Sequence, residues 1–149
     1  MVEALSTTAT LARMDEGWAA FHDRVTSIPT ERLADRISDG SWTLKQMLGH
    51  IAAWHDLAVG RLAKFATSGE PAEPGEDEDV INARAARAAE GRTVGEVLLA
   101  MSDSYRRLRR EVSNLTDEQL AAHDGWASEI VAVNTYGHYA DHMADLRGR

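Results

Sequence analysis

Cysteine is absent from the 149 residues. That excludes disulfide stapling, thiolate metal ligands and a cysteine nucleophile, so any thiol chemistry here draws on an external thiol. Proline is scarce, with 3 in the chain, and Pro29, Pro71 and Pro74 all fall between the apolar periodic stretches rather than inside them. No stretch approaches the roughly 18 apolar residues of a membrane span, and the start, MVEALSTTATLARM, lacks a basic segment followed by an apolar run. The expected location is the cytoplasm. Net positive charge is missing too. A formal charge of -8 repels phosphate backbones and anionic membrane surfaces, so neither nucleic acid nor membrane is an expected partner. Strand signals are lacking, since alternating apolar runs and Asn-Gly hairpin turns do not occur.

What is present is helical periodicity. With 44% hydrophobic and 27% charged residues the chain has ordinary globular usage, and its length suits one domain spanning 1–149. Leu11, Met14, Trp18, Phe21, Val25 and Ile28 recur at three- and four-residue steps up to Pro29, which gives a first amphipathic helix. Asp39-Gly40-Ser41 supplies turn chemistry. A second helix starts near Trp42 or Thr43, carries Leu44, Met47, Leu48, Ile51, Trp54, Ala58, Leu62 and Phe65 on a broad face, and stops by about Gly69. Ser68 to Asp79, rich in proline, glycine and acid, is a crossover loop. Val80 to Glu90 forms a short extra helix between helices two and three, placed to bridge the ends of the bundle. Thr93 caps a third long helix with the stripe Val94, Val97, Leu98, Met101, Tyr105, Leu108, Val112 and Leu115. Arg106, Arg107, Arg109 and Arg110 on its outer face read as solvation. Thr116 to Gln119 is a capping sequence for a single turn, and the last helix runs from about Ser128 to Arg147. The fold class is all-α: an antiparallel four-helix bundle with one long crossover.

Chemistry concentrates in histidine. Val131, Thr135, His138, His142 and Leu146 fall within about 80° of arc at ~100° per residue, which sets both histidines in the stripe expected to be buried. Residues four apart project side by side, close enough for their ring nitrogens to share one ion. A third ligand is available on helix two. Relative to Ile51, His55 lies about 40° to one side and His50 about 100° to the other, beside Trp54 and Met47. Angle favours His55, while the breadth of the face also admits His50, and periodicity leaves both open. His22 faces inward near Trp18 as a hydrogen-bonded rim or core polar residue, and Asp15 on the same edge is a candidate general base. His123 belongs to an exposed polar segment. Trp18, Trp54 and Trp126 are core or cap aromatics, with Trp54 also a pocket candidate.

Two segments resemble a known family. SWTLKQMLGHIAAWHD, from Ser41 to Asp56, is similar to the segment Trp-Ser/Thr-x-Lys/Arg-Asp/Gln-x-x-x-His of the DinB/YfiT-like superfamily of metal-binding four-helix bundles. NTYGHYADH, from Asn134 to His142, resembles its second motif, His-x-x-x-His. The latter segment, with Val-Ile-Asn-Ala at Val80 to Ala83, further resembles the ClbS/DfsB branch. The likeness spans Trp42 to His142. It implies His50 rather than His55 as the third ligand beside His138 and His142, and a divalent transition metal, Zn, Ni or Fe, as cofactor. Asn82 joins Trp54, His55 and Asp15 as a pocket candidate. By resemblance the activity is detoxification of a reactive small-molecule substrate, by hydrolysis or by transfer to a low-molecular-weight thiol. A non-catalytic binding or sequestering bundle is the alternative. Pairing into a homodimer through an exposed helix face is compatible with a bundle of this size.

Overall fold

The computed structural model describes residues 5–37 and 40–149. Asp39 of the expected turn therefore lies outside the described residues. Six α-helices follow in order: α1 (Thr7–Thr26), α2 (Leu44–Ser68), α3 (Glu78–Glu90), α4 (Val94–Ser113), α5 (Asp117–Asn134) and α6 (Tyr136–His142), with 3-10 turns at Thr30–Ala34 and Met143–Leu146. Among the described residues the β structure is a single isolated bridge between Arg36 and Thr43. Among the described residues no helix is long and apolar enough to cross a membrane.

Local chemistry fixes the helix starts. Thr43, Thr93 and Thr116 each accept a hydrogen bond from the backbone N–H three residues on, and Gln46, Glu96 and Gln119 reach back to the cap N–H. These reciprocal boxes satisfy donors that a helix would otherwise leave orphaned, each cap being worth about 1 kcal/mol. Ser6 caps α1 and Asp77 caps α3. Gly69 ends α2 in the left-handed region at φ 73°, where a side chain would be strained.

Pairings along the helices give the directions. Lys45 reaches the Arg92 carbonyl, His55 meets Ser104, and Gln119 reaches the Ala66 carbonyl, so α2 and α4 run parallel, as the long crossover permits. Thr7 bonds the Leu115 carbonyl, while Asp15 meets Tyr105 and Arg109, which makes α1 antiparallel to α4. Met14, Phe21, Leu48, Ile51, Leu62, Met101, Leu108, Val131 and Leu146 fill the shared core with essentially no exposure. The expected apolar stripes are therefore the observed ones, with Leu11, Trp18, Val94 and Leu98 at its partly buried margin.

Two features differ from expectation. The short helix does not bridge the bundle ends: α3 lies along the N-terminal half of α2 and antiparallel to it, with Lys45 bonded to the Glu90 carbonyl, Gln46 to that of Ala86, and His50 to Asn82. Gly49 permits this approach, since a Cβ there would sit 2.6 Å from the Ala89 Cβ. The last helix is also not continuous. The turn that begins at Thr116 is separated from it at Ala122 to Gly125, as expected, with His123, Asp124 and Gly125 at positive φ, but the helix itself breaks at Thr135 (φ -128°, ψ -108°). Thr135 Oγ1 bonds the Val131 carbonyl at 2.6 Å, the competing backbone bond that unsettles helices at threonine. Beyond the break Gly137 fits where a Cβ would lie 2.8 Å from the Ala132 carbonyl oxygen. The break sets α6 at its own angle.

The two glycines of α2 should respond oppositely to alanine. Gly60 faces open space, so Gly60→Ala is expected to stabilise by up to about 1 kcal/mol through helix propensity. Gly49→Ala must push α3 away and is expected to destabilise by about 1–3 kcal/mol. Urea unfolding midpoints of the two variants check both signs.

Candidate metal centre

His50 from α2 and His138 and His142 from α6 bring one ring nitrogen each to a common point, all three within 4.8 Å of one another. The distances are 2.9 Å from His50 Nε2 to His138 Nε2 and 3.2 Å from His142 Nε2 to His138 Nε2. Two imidazole nitrogens ligating one ion at about 2.1 Å lie roughly 3–3.4 Å apart, close to the spacing of both pairs that include His138. His50 is buried, while His138 and His142 are half-buried rather than fully within the core.

The opposite ring nitrogens decide which lone pairs point inward. Asn82 Oδ1 takes the Trp54 indole N–H at 2.8 Å, which identifies it as the carbonyl oxygen, and it lies 3.0 Å from His50 Nδ1. His50 therefore donates from Nδ1 and keeps Nε2 unprotonated. Asp145 Oδ2 lies 2.9 Å from His142 Nδ1 and orients that ring in the same way. His138 Nδ1 is buried and without a hydrogen-bond partner among the described residues. Carboxylates and carbonyls behind ligand imidazoles fix tautomer and ring angle in metal sites. Two of the three rings have that support, and the third, His138, carries an unpartnered buried nitrogen at a cost of roughly 1–3 kcal/mol. Burial lowers the pKa of His50 to about 4, helped by His142, and that of His138 to about 3, helped by His50 and His142. Both rings are neutral at physiological pH, the form that binds a metal.

His55, the other helix-two candidate, belongs to a separate and fully buried network. Ser104 Oγ donates to the Met101 carbonyl at 2.9 Å, so it accepts from His55 Nδ1 at 2.8 Å, and His55 Nε2 accepts from the Tyr139 hydroxyl at 2.6 Å. Burial raises the Tyr139 pKa, which keeps that hydroxyl a donor. This chain ties α2 and α4 to α6 one residue away from His138. Asp15 is not brought to the trio. Arg109 grips it bidentately at 2.8 Å, and Tyr105 donates to it at 2.7 Å. The Arg109 hydrogen bonds foremost hold its carboxyl below the usual range. Trp18 stacks on Tyr105 with centroids 4.5 Å apart and lies 5.2 Å from His22. His123 is exposed, donating to the Gly69 carbonyl. Arg106 and Arg107 pair with Asp103 and Asp56, in keeping with a solvated face.

Of the pocket candidates, Trp54 and Asn82 therefore sit behind His50, whereas His55 and Asp15 lie elsewhere. Sequence reasoning missed Asp145, although its place three residues after His142 is a helical-neighbour signal. Tyr139, Ser104 and Arg61 gave no such signal. A cleft of about 260 Å³ opens beside the trio, with His50, His138, Trp54, Asn82, Asn134 and Arg61 in its wall.

A model of the DinB superfamily matches residues 13–145, and the chain belongs to that superfamily. No curated protein matches its sequence. A solved structure described as Sibling Lethal Factor Precursor - DfsB is similar with a TM-score of 0.81 at 14% identity, covering 97% of this chain and 95% of its own. An uncharacterised protein from Escherichia coli UTI89 gives a TM-score of 0.79 at 16% identity, covering 95% and 91%. At such identities the likeness establishes the shared fold.

The buried network carries an acid liability. Burial foremost depresses the His55 pKa to about 3, against about 6.5 in the unfolded chain. Between those values only the unfolded state takes up the proton. The stability contributed by neutral His55 is therefore complete above about pH 6.5 and is lost as pH falls towards 3, by up to about 1.4 kcal/mol per pH unit. His55→Gln is expected to unfold more readily at neutral pH but with a shallower loss on acidification. Equal slopes for the two proteins, measured by urea unfolding from pH 7 to 5, would refute the assignment.

Proposed function

We propose that this protein is a metal-dependent enzyme acting on a reactive, electrophilic small molecule, with His50, His138 and His142 holding a divalent transition metal such as Zn, Ni or Fe. The observation that supports this reading is the convergence of three Nε2 atoms while Asn82 and Asp145 occupy the Nδ1 sides of His50 and His142. An ion held by three imidazoles keeps open positions and, when bound, supplies Lewis acidity that activates water for hydrolysis or a small external thiol for transfer.

The chain's own residues prepare the place for that chemistry. Asn82 and Asp145 orient the rings, and the Trp54 indole N–H holds the Asn82 carboxamide in the one orientation that accepts from His50. Burial keeps His50 and His138 neutral, so their lone pairs are available without a proton having to leave. The adjoining cleft limits the substrate to a small molecule. Its shared wall with His50 and His138 lets the reacting carbon approach the ligand cluster from one side. Cysteine being absent, an attacking thiol comes from a second small molecule.

Metal analysis of the purified protein tests the first half of the reading. About one equivalent of transition metal is expected in the wild type, with His142→Ala retaining little. Asn82→Ala should bind metal roughly 10–100-fold more weakly while folding normally. A wild type holding no more ion than His142→Ala would overturn the metal site. For the second half, turnover of epoxide- or cyclopropane-bearing compounds, with and without a small thiol, should depend on added metal. Turnover unchanged in His138→Ala would detach activity from the ion. Saturable binding without turnover would favour a sequestering role.

A further inference from the structure

The wall of the cleft beside the histidine trio contains a cation that the protein itself does not use. Arg61 is half-buried and lines that cleft, yet it forms no hydrogen bond or ion pair among the described residues. Arg106, Arg107 and Arg109 on α4, by contrast, pair with Asp103, Asp56 and Asp15. The other arginines without a partner, such as Arg87, Arg110 and Arg147, are exposed, where water satisfies them. Arg61 stands on the same stripe of α2 as His50 and Trp54, eleven and seven residues on, about 16 Å from His50 along the axis. Side chains on a helix tilt towards its N-terminus, which here means back towards His50.

A second group in the wall waits for a ligand. Asn134 is 3% exposed and donates its carboxamide N–H to the Ile130 carbonyl. Its carboxamide oxygen has no partner among the described residues, and the residue lines the same cleft. The cleft's acid, Glu78, is exposed in the first turn of α3 and pairs with no cation there. Its negative charge weighs against a doubly charged phosphate and less against a single carboxylate.

We propose that this cleft binds a small molecule carrying one carboxylate, gripped by the Arg61 guanidinium, with an N–H or O–H of the same molecule donated to Asn134 Oδ1. The planar fork of arginine matches a carboxylate with two parallel hydrogen bonds. As a substrate class this rests on the enzymatic reading above: the carboxylate anchors one end and leaves the electrophilic end towards His50 and His138. The anchor itself works with or without the metal.

Titration of the full-length protein, zinc-loaded and metal-free, with 3-phenylpropionate, its uncharged amide and phenyl phosphate tests the proposal. The carboxylate should bind at least about tenfold more tightly than the amide in both forms, as a charge-assisted pair requires. Arg61→Gln should shrink that preference to below about twofold, and Arg61→Lys should restore part of it, with helical content unchanged. His142→Ala should lose metal but keep the preference, so failure of the metal site and failure of the carboxylate anchor read out separately. Equal affinity for carboxylate and amide, tighter binding of the phosphate, no saturable binding of the carboxylate, or a preference that survives Arg61→Gln would each overturn it.

Discussion

A ring nitrogen without a proton can only accept, and acceptors facing one another repel unless something positive lies between them. At the junction of α2 and α6, Asn82 and Asp145 force that situation on His50 and His142. The proton each imidazole owns is drawn to the outer side, so the inner nitrogens face His138 as bare lone pairs. His138 can place its proton on Nε2 between them or turn a third lone pair inward, and its buried Nδ1 lacks a partner either way. In the proposed reading, a cation at the centre would engage all three lone pairs at once. The rest of the site follows from this constraint, because it works only if the rings are held from behind.

The architecture supplies that backing at two close approaches. Gly49 lets α3 lie against α2, which brings the Asn82 carbonyl to His50 and the Trp54 indole to Asn82. On the other side the break at Thr135 frees α6 to set its own angle, and the Tyr139 hydroxyl pins it to buried His55. A satisfied buried network is costly to disturb, since each broken member leaves a desolvated group behind. His55 thus contributes to the site without reaching it, locating the helix that carries His138 and His142.

Much of this was legible in the sequence. Threonine caps at Thr93 and Thr116 marked the starts of α4 and α5, and apolar spacing gave the buried faces because one packed face dictates a 3.6-residue period. The break at Thr135 was not legible: Thr135 and Gly137 are ordinary helix residues until a tertiary contact competes for their backbone groups. Nor could helical angle choose between His50 and His55, since both lie within the broad buried face of α2. The choice depended on α3, an element 32 residues away whose packing against Gly49 no periodicity encodes. Arg61 was invisible for a similar reason, because its lack of a partner is a property of the assembled cleft.

The inward convergence of lone pairs is the claim on which the functional account turns, and long-range 1H–15N spectra of the histidine rings read it directly. In metal-free protein at neutral pH, His50 and His142 should both carry their proton on Nδ1. One equivalent of zinc should shift the Nε2 signals of His50, His138 and His142 together, leaving those of His22, His55 and His123 in place. A proton on Nε2 of His50 or His142, or zinc-induced shifts at the other three histidines instead, would contradict it.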